Sequence, residues 1–122
     1  MEVLSQAQHK FKVFFGKSID DVNSKIQADA GNGTMAVQNF GVEYIESRNQ
    51  FLVSIGYVEG QPGYPIQITD NVVGPIPEWL SDVPDQLCAS MESIVSEFSD
   101  VLCHELFVDN DEVVHFVLLT KL

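Results

Sequence analysis

Basic residues are scarce in this chain of 122 residues: 6 Lys and Arg stand against 18 Asp and Glu, for a formal charge of −12. No Lys or Arg occurs between Asn49 and Thr120, so the second half is almost purely acidic. That balance argues against a direct nucleic-acid surface and against docking on anionic lipid. Cysteine is nearly missing as well. Cys88 and Cys103 are not in C-x-x-C spacing, which leaves no disulfide framework and no thiolate metal site. Long apolar runs are absent too. Val113–Leu119, broken by His115, is far too short to cross a bilayer as a helix. Met1–Gln6 has neither a basic leader nor a long apolar stretch, so a cytoplasmic protein with reduced thiols is expected.

What is present suits a globular chain. Hydrophobic residues make up 45% and charged ones 20%, too apolar for a disordered segment. The length matches one domain over residues 1–122, with polar residues 1–9 as an arm. Phe11, Val13 and Phe15 alternate with Lys10, Lys12 and Phe14, which predicts a first strand over about 10–16. Ser18 followed by Asp21 marks a helix start, and Ile19, Val22, Ile26 and Ala30 recur at helical steps up to Gly31-Asn32-Gly33. Phe40–Tyr44 and Phe51–Tyr57 read as a hairpin turning through Glu46-Ser47-Arg48-Asn49. Ile66–Thr69 is a short strand, and Pro65 before it fits a sheet edge.

The same order then recurs. Leu87, Met91, Ile94, Phe98 and Val101 form the apolar stripe of a second helix opening near Asp82 and Pro84. Leu102–Val108 and Val113–Leu122 form a second hairpin, turning through Asp109–Glu112. Glu43 and Glu105 occupy equivalent places before the two hairpin turns. The expected architecture is α+β: two β-α-β-β units forming one mainly antiparallel sheet of about six strands, with two helices on one face.

Catalytic signatures are missing. Cys103-His104 would point to opposite sides of a strand, which defeats a local nucleophile–base pair. Asp20-Asp21 and Asp82-Asp85 sit at helix starts, and Asp109-Asp111-Glu112 in a turn, where acids serve the backbone. Gly31-Asn32-Gly33 follows a helix, the reverse of a phosphate loop. No cofactor motif, metal set or catalytic residue is assigned, and the balance leans away from an enzyme.

Two binding surfaces are expected instead. A turn at Asp109–Glu112 would pair Val108 with Val113 and Leu106 with His115. His104, Leu106, Val113, His115 and Val117 would then share one apolar face, available to a pH-sensitive interface. Because both faces of this hairpin are apolar, a second copy or an apolar ligand would cover one of them. A symmetric homodimer is the commonest such solution. Separately, Tyr44, Tyr57, Tyr64 and Trp79 would wall a cleft holding Glu43, Glu59 or Glu78, suited to an organic cation.

The expected function is thus a non-enzymatic module for a small, apolar, cationic ligand. Bacterial effector domains that sense small molecules share the doubled strand-helix-strand-strand order, as an analogy of topology alone. The alternative is an acidic interaction protein, a DNA mimic or inhibitor, occupying a basic site on a protein partner.

Overall fold

A computed structural model describes residues 8–75 and 83–122. Strand β1 (His9–Gly16) leads into helix α1 (Ile19–Ala28), which starts where the sequence says it should. Ser18 is extended, and its hydroxyl accepts the Asp21 N–H at 3.0 Å. Asp20 and Asp21 lie in the first turn and Lys25 in the last, each favourable to the helix dipole. The helix stops at Asp29, short of the glycines. Asp29 turns extended, and its carboxylate pairs with Lys12 of β1. That cation holds the Asp29 carboxyl below the usual carboxylate range.

Strands β2 (Ala36–Ile45) and β3 (Gln50–Val58) form the expected hairpin, joined by a single 3-10 turn at Glu46–Arg48. Asn49 adopts the left-handed conformation, φ 49°, that asparagine tolerates. Strand β4 (Ile66–Pro75) outruns Ile66–Thr69, bending at a bulge between Val72 and Gly74. Helix α2 (Val83–Ser96) and strands β5 (Val101–Val108) and β6 (Val113–Lys121) complete the described chain. The apolar stripe of α2 does not run on to Val101. Asp100 takes a positive φ of 56°, its carbonyl accepts the Lys121 N–H, and Val101 opens β5.

The fold is α+β, with six antiparallel strands and two α-helices among the described residues. In place of the one expected sheet, the strands divide into two three-stranded sheets, ordered β1-β3-β2 and β4-β6-β5, because β4 and β5 both pair with β6 and neither pairs with the first three strands. One core joins them. Ile19, Val22 and Ile26 of α1 meet Val42, Val53 and Ile55 from the first sheet and Ile68, Val117 and Leu119 from the second. Helix α1 packs against both β1 and β4, while β2 and β5 approach each other on the other side.

Strand β6 is buried on both faces. Val117 and Leu119 join the core, while Phe116 and Leu118 are buried on the other side. There Phe116 and His104 line an apolar cleft of about 390 Å³ with Met91 and Val95 of α2. The two helices therefore take opposite faces of the second sheet, and cover on the α2 side is partial: Leu106 and Val108 of β5 stay 40% and 46% exposed.

A further exposed apolar row lies on β1. Phe14 packs against the core, whereas Phe11, Val13 and Phe15 are 67%, 53% and 43% exposed. The Lys25 ammonium donates to the Phe15 carbonyl and occupies part of the outer edge of this strand.

A candidate binding site at the seam between the sheets

Where β2 meets β5, a cavity of about 370 Å³ is lined by Gly41, Val42 and Glu43 of β2, Leu52 and Ser54 of β3, and Glu105 of β5. Local strand geometry explains the set. Gly41 stands opposite Ser54, and Glu43 opposite Leu52, so all four lie on the face of the first sheet turned away from Val53 and Ile55. A side chain on Gly41 would bring its Cβ to 3.0 Å from the Ser54 hydroxyl oxygen, so glycine keeps the floor open. Glu105, opposite Val117, contributes the second carboxylate from the other sheet. Glu43 is exposed and Glu105 half-buried, and neither has an ion-pair partner among the described residues. The field of Glu105 reaches its neighbour: burial, and then that carboxylate, push the Cys103 thiol above its ordinary pKa.

An aromatic ladder bridges the two sheets next to this cavity. Tyr44 and Phe51 have ring centroids 4.9 Å apart, and Phe51 meets Phe107 edge-on at 5.1 Å. Phe107 in turn stacks on His115 at 4.6 Å, with the rings 4° from parallel. His115 is held at both nitrogens. Its Nδ1 lies 2.9 Å from Asp70 Oδ1, and its Nε2 lies 2.7 Å from Asp109 Oδ2. Burial disfavours the imidazolium, but the two carboxylates outweigh it and raise the His115 pKa above its usual value. Asp109 is held low, chiefly by the His115 hydrogen bond and then by the Val113 N–H. A doubly clamped imidazolium has no free lone pair for a metal or a proton-abstraction step. Its chemistry is structural: it ties β4 and the β5–β6 turn to β6.

The histidines are not brought together. The β5–β6 register is one residue off the expected one: His115 pairs with Phe107, and Leu106 with Phe116. Five residues, Asp109–Val113, separate the paired Val108 and Val114, with Glu112 at a positive φ of 60°. A slip of one residue turns alternate side chains to the other face. His104 and Leu106 therefore face outward beside Phe116, while His115 and Val117 take the opposite face, with Val113 at the strand's start.

The aromatic wall is not assembled either. Tyr44 sits at the hairpin end of β2, its hydroxyl donating to Asn49 Oδ1 at 2.9 Å. Tyr57 lies six residues along β3 from Phe51, roughly 20 Å away by strand rise. Tyr64 is with Tyr57 at that far end. Its hydroxyl accepts the Val37 N–H, and Lys121 lies over its ring at 4.5 Å. Glu59 pairs with Lys10 at 3.5 Å, remote from Glu43. Trp79 and Glu78 lie outside the described residues. Of the expected ligand set, Glu43 alone lines the seam cavity. Sequence pattern alone gives Glu105, Gly41, Leu52 and Ser54 no site role. The equivalent placing of Glu43 and Glu105 was the available signal.

No family model matches the chain, and no solved structure matches it. Over 58 residues, 47% of its length, it is 36% identical to a glycerol kinase of Rhodospirillum rubrum. The matched stretch is 12% of that kinase.

Proposed function

We propose that this chain is a binding module for a small organic cation, seated between β2 and β5. The observation that carries this reading is the pair of carboxylates, Glu43 and Glu105, lining one cavity from two sheets with no ion-pair partner among the described residues. A cation seated there would meet both carboxylates at once, and Leu52 and Val42 offer contact to its carbon skeleton. The cavity volume, about 370 Å³, falls in the range of small-molecule sites. The charge imbalance of the whole chain adds long-range attraction for the same ligand sign.

The test is a titration with tetraethylammonium followed by amide NMR. Saturable shifts centred on Gly41, Leu52 and Ser54, lost in Glu43→Gln/Glu105→Gln and weakened by salt, are expected. Shifts spread evenly over all acidic residues would sink the reading and favour a charge-driven protein contact.

A further inference from the structure

The outer face of the first sheet continues from the seam cavity to β1 in three rows. The register sets Phe15, Leu52 and Glu43 side by side, then Val13, Ser54 and Gly41, then Phe11, Gly56 and Asn39. The central strand carries small side chains in two of the three rows. Asn39 fills the last one, because a Cβ on Gly56 would fall 2.2 Å from its Oδ1. The trough is thus open in the middle row, Val13–Ser54–Gly41, next to the row that holds Glu43. Across it, Phe15 lies two strands from Glu43, roughly 10 Å by the spacing of a sheet.

Resting on the cation reading above, we propose that the ligand is an amphiphilic organic cation. Its charged head sits between Glu43 and Glu105, and an apolar arm lies across β3 onto Val13 and Phe15. Charge complementarity selects the head, since the acids of the seam have no ion-pair partner among the described residues. The exposed row Phe11, Val13 and Phe15 has no cover among the described residues and lies within reach of an arm of that length. A second copy suits this face poorly. It would bring a like-charged Glu43 onto the same sheet, and Lys10 and Lys12 are already engaged with Glu59 and Asp29. Three apolar side chains are also few beside the roughly 20–30 residues a side of a stable interface.

Calorimetric titration with tetramethylammonium, octyltrimethylammonium and octyl sulfate, each below its micellar concentration, tests the assignment. Octyltrimethylammonium should bind at least tenfold more tightly than tetramethylammonium. Val13→Ser/Phe15→Ser should remove that advantage and leave tetramethylammonium binding unchanged. Both positions are exposed, and a matching urea midpoint checks that the variant is folded. Equal affinity for the long and short cations would overturn the amphiphile and leave the cation reading standing. Binding of neither cation would remove both. Octyl sulfate binding as tightly as its cationic counterpart would overturn the role of the two glutamates as a head-group site. Sedimentation of the ligand-free protein as a dimer, reverting to monomer in Val13→Ser/Phe15→Ser, would assign the row to a second copy and overturn the proposal.

Discussion

His115 Nε2 stands 2.7 Å from Asp109 Oδ2, while the other oxygen of the same carboxylate accepts the N–H groups of Asp111 and Val113. One aspartate thereby shapes the β5–β6 turn and fixes a ring of the central strand. With Asp70 on the far nitrogen, the imidazolium draws the outer strand β4 into the same arrangement.

The clamp makes stability depend on pH, with opposite signs for its members. The His115 pKa is raised on folding, so its contribution is complete below the unfolded value near 6.5 and fades as pH rises through the folded one. The Asp109 pKa is lowered, so its contribution is present above the unfolded value and fades as pH falls through the folded one. His115→Gln should therefore lose roughly 2 kcal/mol at pH 5.5, the scale of hydrogen bonds to charged groups. At pH 9 the loss should be smaller. Urea unfolding of both proteins at the two pH values checks this, and an unchanged difference would refute it.

Thr120 is buried, and its hydroxyl oxygen has no hydrogen-bond partner. Thr120→Val keeps the shape and removes the stranded group, so it should stabilise the fold by about 1 kcal/mol. A higher denaturant midpoint with unchanged slope is the expected result.

Gly63 lets two segments pass at close range. A Cβ there would fall 2.0 Å from the Thr34 carbonyl carbon, and backbone cannot step aside as a side chain can. Next to it, Met35 and Tyr64 form an isolated bridge. Gly63→Ala should cost more than about 1 kcal/mol, the ordinary scale of a strained glycine replacement. Thermal unfolding measures it.

The two thiols should differ in reactivity. Cys88 is exposed, whereas Cys103 is half-buried with a raised pKa. Iodoacetamide at pH 8 should label Cys88 first. Glu105→Gln removes a charge that disfavours the Cys103 thiolate, so it should speed labelling of Cys103 and leave Cys88 alone. Mass spectrometry over a time course separates the two.

What the sequence disclosed was local. Ser18, the stripe Ile19–Val22–Ile26 and the turn ending at Asn49 each follow from neighbours a few residues apart, and all stand where the pattern puts them. Features set by distant partners were hidden. The strand β1 could turn either face inward by alternation, and pairing of Lys12 with Asp29 accompanies the choice of Phe14 for the core. The β5–β6 register depended on a positive φ at Glu112, a residue that carries no glycine signal. Glu105 and Glu43 were noticed as equivalent, but periodicity within a strand says nothing of which strands become neighbours across two sheets.

The central place of β6 also orders the assembly of the fold. Strands β4 and β5 bond to β6 and not to each other, so the second sheet has no ladder until the chain from Val113 onward is in position. Ile66 and Ile68 pair with Lys121 and Leu119, more than fifty residues downstream, and such distant closures are slow to find. The hairpin of β2 and β3 needs only a four-residue turn. Folding should therefore begin in the two hairpins, with α1 half-covered until β4 closes onto β6.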